Sequence, residues 1–179
     1  MFRMRMYDKH VEDREILLAI LDMCDVINVA FFDEEYPYIV PLNFGYEFKD
    51  DLVFYCHHGP WGHKNTLIEK NPKVCLVTHK FIDGIYNSYD KSGHDYRSVM
   101  AFGEMSFIPP DSDEYEKAWA VLTSCNNRVV PPMVLEREYR QTKVRMSKIV
   151  CRAKDVYGRA QRKLTSLDQV PFKSDPRPE

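Results

Sequence analysis

The spacing of apolar and polar positions changes period several times along this chain. Between Asp8 and Met23, apolar residues recur at Ile16, Leu17, Ile20 and Leu21. That spacing predicts an amphipathic helix, with Glu12 or Asp13 placed to cap its first turn. Val26–Phe32 is β-rich, and Asp33-Glu34-Glu35 turns the chain into two more extended runs, Tyr36–Tyr46 and Leu52–His58. Three strands joined by short polar connections predict antiparallel neighbours. Asn65–Asn71 predicts a short helix that stops before Pro72, and Val74–Phe81 a strand central to the core. Ile82–Asp95, with Tyr86, Tyr89 and His94, reads as a long irregular segment. Tyr96–Ile108 returns to strand character, with Gly103 as a bulge or close backbone approach. Asp113–Cys125 predicts a helix with Tyr115, Ala118, Trp119 and Leu122 on one side. Leu135–Gln141 reads as a second short helix, Thr142–Val150 as the last long strand, and Tyr157–Ala160 as a turn or short extended piece.

Six or seven antiparallel, mostly sequential strands with two or three helices outside predict a mainly β fold, a small split β-barrel. Residues 1–164 are expected to form one domain and residues 165–179, with three prolines, a loose tail. The central hairpin is too polar on one side to be buried within one subunit. A ligand or a partner chain should cover it, and a homodimer is the commonest solution.

Composition narrows the class. Of 179 residues, 44% are apolar and 29% charged, as in a soluble globular protein. No long uncharged apolar stretch predicts a membrane span, and the charged opening MFRMRMYDKH does not read as a secretory signal, so a cytoplasmic setting is the default. Cys24, Cys56, Cys75, Cys125 and Cys151 are widely spaced and odd in number, which argues against a disulfide scaffold. A metal site from Cys56, His57, His58 and His63 is disfavoured because neighbours on a strand point to opposite faces. Net charge is −2, yet basic residues crowd the stretch from Arg137 to Lys163. That stretch could meet nucleic acid, a phosphorylated ligand or a partner, or be a solvated face. Only Tyr139 and Tyr157 interleave with it, which weakens the nucleic-acid reading.

The hairpin carries the candidate chemistry. Pro41 removes a ladder donor, Asn43 offers an amide, and Gly45 opens space for something bulky. The second run ends in His57-His58 and a Gly59-Pro60 turn, followed by Gly62-His63-Lys64. A lysine at a helix start, with free backbone N–H groups nearby, can hold a phosphate. One reading is a hairpin that lays a flat ring along one strand and anchors a phosphate at the end of the other. An ordinary hairpin, with a proline bulge and solvent-facing histidines, fits the same residues.

The order of these motifs resembles the flavin-binding split-barrel superfamily of pyridoxamine 5'-phosphate oxidase, and within it the nitroimidazole-resistance branch. The resemblance is carried by Arg3–Asp8 with the first helix, Tyr38–Gly45, Leu52–His57, Gly62–Lys64 with Asn71–Cys75, Tyr96–Val99 with Phe102-Gly103, and Gly158–Ala160. It implies noncovalent FMN and two-electron chemistry on a small aromatic substrate, in this branch an aromatic nitro compound. Electrons would come from a nicotinamide nucleotide or a partner reductase. By the same resemblance Val40, Pro41, Leu42, Asn43 and Phe44 border the flavin ring. His57 lies beside the cofactor and could donate a proton, while Gly62 and Lys64 hold the phosphate. Ser98, Val99 and Gly103 would close the site from the other subunit of a homodimer. His63 stands where this branch commonly has an arginine, and Trp61 adds a bulky ring that could stack on the cofactor. Related alternatives are a flavin reductase, a deazaflavin user, or a flavin- or haem-binding protein without turnover. No histidine follows His94, which counts against the haem branch.

Overall fold

The structure, a computed structural model, describes residues 7–85, 93–126 and 142–161. Several expectations lie outside those residues: Arg3, the loop tyrosines Tyr86 and Tyr89, the helix at Leu135–Gln141, the basic residues Arg137, Arg140, Arg162 and Lys163, and the tail. A 3-10 turn at Tyr7–Lys9 and a two-residue strand β1 (His10–Val11) precede helix α1 (Arg14–Asp22). Strands β2 (Val26–Phe31), β3 (Tyr38–Phe48) and β4 (Leu52–His58) follow, then α2 (His63–Lys70). The long strands β5 (Lys73–Ile85) and β6 (Gly93–Ile108) lead to α3 (Asp113–Asn126), β7 (Arg145–Cys151) and β8 (Val156–Ala160). The region read as irregular is shortened from both ends, because β5 continues through Ile85 and β6 begins at Gly93.

The expected six- or seven-stranded split barrel is corrected. The strands form one mainly antiparallel β system of eight in the order β1-β8-β6-β5-β2-β3-β4-β7, with a further pairing between β6 and β7. Among the described residues it is an eight-stranded sheet with peripheral helices. The sequence leaves β1, two residues long, without a signal, and β8, five residues long, is the stretch read as a turn or short extended piece. Such short segments pair through backbone groups and leave little periodic signal.

The described residues divide into two compact units: those up to Cys24, between Val77 and Met100 and from Tyr157 onward in one, those between Asp25 and Leu76 and between Ala101 and Val156 in the other. In the first, Asp13 caps α1 by accepting from the Glu15 and Ile16 N–H groups at 2.9 and 3.1 Å. Its apolar face buries Ile16, Leu17, Ile20 and Leu21, each worth roughly 2 kcal/mol when fully withdrawn from water. β8 runs close beside β1, and a Cβ on Gly158 would come within 2.8 Å of the Val11 carbonyl oxygen. Asp95 and Arg97, both buried on β6, form an ion pair.

In the second unit, β2, β3, β4 and β7 are successive antiparallel neighbours. Ile27, Val29, Phe31, Leu42, Phe44, Phe54 and Cys56 are buried on one face. Residues of opposite parity lie on the other face, and α3 covers part of it. Tyr55, Ile108, Tyr115, Ala118, Leu122 and Met146 form the buried cluster between α3 and the strands. The Tyr115 hydroxyl donates to the Val144 carbonyl at 3.1 Å, and Lys148 binds both oxygens of Glu114 at 2.6 and 2.8 Å.

Candidate functional site

β3 changes partner midway. Its residues Tyr38 to Asn43 pair with β2, in registers from Phe31↔Tyr38 to Val26↔Asn43. Its residues Phe44 to Phe48 pair with β4, from Phe44↔Cys56 to Phe48↔Leu52. β4 then runs two residues further with β7, through His57↔Met146 and His58↔Arg145. Among the described residues, the edge of β3 from Val40 to Asn43 and the facing edge at His57 and His58 are thus not laddered to each other. Pro41, with no N–H, sits in this stretch, where regular pairing is least needed. A gap of this kind leaves backbone donors and acceptors for a planar ligand to read.

Alternation along the strands decides which side chains line the gap. On β3, Ile39, Pro41 and Asn43 share the α3 face and are exposed, whereas Leu42 and Phe44 point into the core. The Asn43 amide donates to the Asp25 carbonyl at 3.1 Å. His57 is the next residue after Val53 and Tyr55 in the row on the same face of β4. Its ring reaches solvent but meets the Trp119 indole edge-on, with ring centroids 6.3 Å apart and planes at 70°. The protein packed around it lowers its imidazole pKa from 6.5 by desolvation. His58 points the other way and is buried. Its Nδ1 lies 2.9 Å from the Gly59 carbonyl, which can only accept, so Nδ1 carries the proton and Nε2 accepts from the Ser147 hydroxyl at 2.7 Å. Burial holds its pKa down at about 4, so His58 is a neutral structural clamp.

Past His58 the chain reaches the start of α2. Gly62 is its N-cap, with φ of 126° and no atom within 4 Å of where a Cβ would stand. No side chain caps this end. His63 and Lys64 occupy the first turn rather than preceding the helix. Lys64 is half-buried, and desolvation lowers its pKa. His63 Nε2 hydrogen-bonds Asp33 Oδ2 at 2.6 Å, and its ring meets Tyr38 edge-on at 5.1 Å. The His63 hydrogen bond is the largest of the effects that lower the Asp33 carboxyl pKa. Trp61 is 79% exposed beside them. A cavity of about 200 Å³ opens nearby, lined by Phe32, Asp33, Glu35, Tyr36 and Cys75 among others.

Pro41, Asn43, His57, Trp61, Gly62, His63 and Lys64 thus lie in one unit, on and just beyond the two strand edges that do not pair. Val40, half-buried, contributes backbone there, and Leu42 and Phe44 can do so only through backbone. Ser98 and the fully buried Val99 belong to the other unit. Gly45 was expected to make room for a ligand, but α3 fills that room: a Cβ there would lie 2.6 Å from Leu122 Cα and from the Val121 carbonyl oxygen. Gly103 is a close approach of the same kind, its missing Cβ replaced by Cys151 Sγ and Val150 O at 2.6 Å. Sequence reasoning missed Asp33, Ser147 and Trp119 as neighbours of the site. Each lies at least 30 residues from the histidine it touches, so no local spacing could reveal it. The basic stretch is dispersed where it is described: Lys148 pairs with Glu114, Arg152 with Asp155, and Arg145 lies over the Phe107 ring at 4.4 Å.

The profile of the pyridoxamine 5'-phosphate oxidase family matches residues 13–159. The chain belongs to that family, within an FMN-binding superfamily. No curated protein sequence matches it. Among solved structures, a candidate 5-nitroimidazole antibiotic resistance protein from Bacteroides thetaiotaomicron VPI-5482 is 26% identical with a TM-score of 0.67, over 86% of this chain and 90% of that one. The FAD and heme binding protein of Mycobacterium smegmatis is 18% identical, with a TM-score of 0.67 over 90% of this chain and 78% of that one. The flavocytochrome Anf3 of Azotobacter vinelandii is 20% identical, with a TM-score of 0.63 over 99% and 89%. At those identities the last two likenesses concern the fold. Among the described residues no helix is long and apolar enough to cross a membrane.

Proposed function

We propose that this chain is an FMN-dependent oxidoreductase that reduces a small aromatic substrate, a nitroaromatic compound included, by two electrons. The observation that carries the reading is the break in the ladder between Val40–Asn43 and His57–His58, with the uncapped start of α2 following within five residues. The likeness to a candidate nitroimidazole resistance protein supports the substrate class.

The donor set suits a phosphomonoester: the Lys64 ammonium, the backbone N–H groups of His63 and Lys64 at a helix start that no side chain caps, and a Gly62 that leaves the approach open. When bound, FMN supplies the two-electron chemistry. This chain's own residues bind and orient. Backbone groups of Val40 to Asn43 read the polar edge of the ring, Lys64 holds the phosphate, and the exposed Trp61 offers an aromatic face. His57, neutral near pH 7 because its pKa is lowered, accepts a hydrogen bond there and releases a proton readily when it carries one. A second copy of the chain covers the open hairpin face, with Ser98, Val99 and Gly103 on the strand it would contribute. Electrons come from a nicotinamide nucleotide or a partner reductase, in a cytoplasmic setting.

The deciding experiment is the visible absorption spectrum of the purified chain before and after addition of FMN and desalting. Two flavin bands retained in stoichiometric amount support the reading and justify a nitroaromatic screen. Failure to retain FMN overturns it, and a single intense Soret band would replace the flavin with haem.

A further inference from the structure

The outer row of β4 runs from Val53 through Tyr55 to His57, and α3 lies over the first two members of that row. Trp119 stands at the edge of this cover. Its own seat is fixed, because α3 is pressed onto β3 at Gly45 and its Tyr115, Ala118 and Leu122 pack with Tyr55, Ile108 and Met146 of the strands. The indole is therefore a wall attached to the fold, not a mobile surface group. It meets the imidazole of His57 edge-on at 6.3 Å and 70°.

We propose that Trp119 is the positioning residue for His57, setting the plane of its imidazole and closing one side of it to water. Charged neighbours do not explain the state of this histidine. Lys117 on α3 is paired with Glu47, Lys148 on β7 with Glu114, and Arg145 lies over Phe107. His58 is turned to the opposite face and held by Ser147. Glu116 is the other carboxylate on α3 within a turn of Trp119. Exclusion of water accounts for the low imidazole pKa, and the indole is an apolar ring that meets the imidazole edge-on. The consequence for turnover rests on the proposed function; the contact itself does not.

The test is an NMR titration of isotope-labelled histidines in the full chain, comparing wild type, Trp119→Phe and Trp119→Ala. We expect the His57 midpoint to rise towards the unperturbed value of ~6.5 in Trp119→Ala and to stay low in Trp119→Phe, which keeps a flat ring. An unmoved midpoint in a folded Trp119→Ala overturns the proposal. Should that variant fail to fold, Trp61→Phe leaves Trp119 as the single tryptophan of the chain. Its emission should then drop as the imidazolium forms, and this step should vanish when His57→Gln is added. A missing step, or one that survives the added substitution, overturns the proposal. Both titrations read out in protein that binds no flavin, so failure of the FMN assignment is distinguishable from failure of this one.

Discussion

His63 Nε2 lies 2.6 Å from Asp33 Oδ2, which ties the first residue of α2 to the turn after β2. Lys70 at the far end of the helix lies 3.3 Å from Glu34, so the same turn is held at both ends of α2. The first contact holds the Asp33 carboxyl below its ordinary value of 3.8. A depressed carboxyl contributes stability that is present above the unfolded value and lost as pH falls through the folded one. Asp33→Asn should therefore melt below wild type at neutral pH, and the two melting curves should converge on acidification below pH 3.8. Thermal melts across that range check it. Curves that run parallel throughout would show that the contact carries no charge-dependent stability.

His58 gives the opposite end of the histidine range. Its folded pKa of about 4, against 6.5 unfolded, means that the native state resists a proton the unfolded chain accepts. Stability is full above pH 6.5 and declines as pH falls towards 4, by about 3 kcal/mol over the whole window. Urea denaturation at pH 7 and pH 4.5 should show this loss in wild type and a smaller one in His58→Gln.

Gly45 is a packing glycine. Gly45→Ala would drive a methyl group into the backbone of α3, and we expect a loss of roughly 1–3 kcal/mol. At Gly59 the nearest atom to a built Cβ is the Trp61 carbonyl oxygen at 3.9 Å, so Gly59→Ala should stay within about 0.5 kcal/mol of wild type. Equilibrium denaturation of both variants is the measurement. Equal costs would remove α3 as the reason for Gly45.

Lys64→Ala tests the phosphate assignment without touching the core. Charge-assisted hydrogen bonds are worth about 1.5–3 kcal/mol, so FMN affinity should fall roughly tenfold to a hundredfold while riboflavin affinity holds. A variant that loses both ligands equally would place the phosphate elsewhere.

His57→Gln should retain flavin and slow turnover by roughly a hundredfold. Because desolvation lowers its pKa, any part of the rate that needs protonated His57 should grow as pH falls and reach its midpoint below pH 6.5. A pH–rate profile identical in wild type and variant would leave His57 a packing role.

The hairpin was legible because its signals are local. Pro41, Asn43 and the paired histidines stand within one run of residues, and the strand Leu52–His58 is found with its expected bounds. The same holds for α1, whose period was visible and whose capping residue proved to be Asp13 rather than Glu12. Gly45 shows the limit. From the chain alone its missing side chain looked like room for a ligand, yet the occupant is α3, more than 70 residues later. Trp119 looked like one more apolar position of a helix, and its contact with His57 had no signature along the chain.

Periodicity, punctuation by proline and glycine, and the identity of a few polar residues sufficed to establish a mainly β chain and its hairpin. These properties depend on neighbours one to four positions apart, which the order of residues displays directly. The eight-stranded order, the change of partner within β3, the exposure of His57 against the burial of His58, and the Asp33–His63 contact were decided only in three dimensions. They depend on which distant strand or helix arrives at each edge, and backbone pairing is nearly blind to side-chain identity, so no local pattern encodes it.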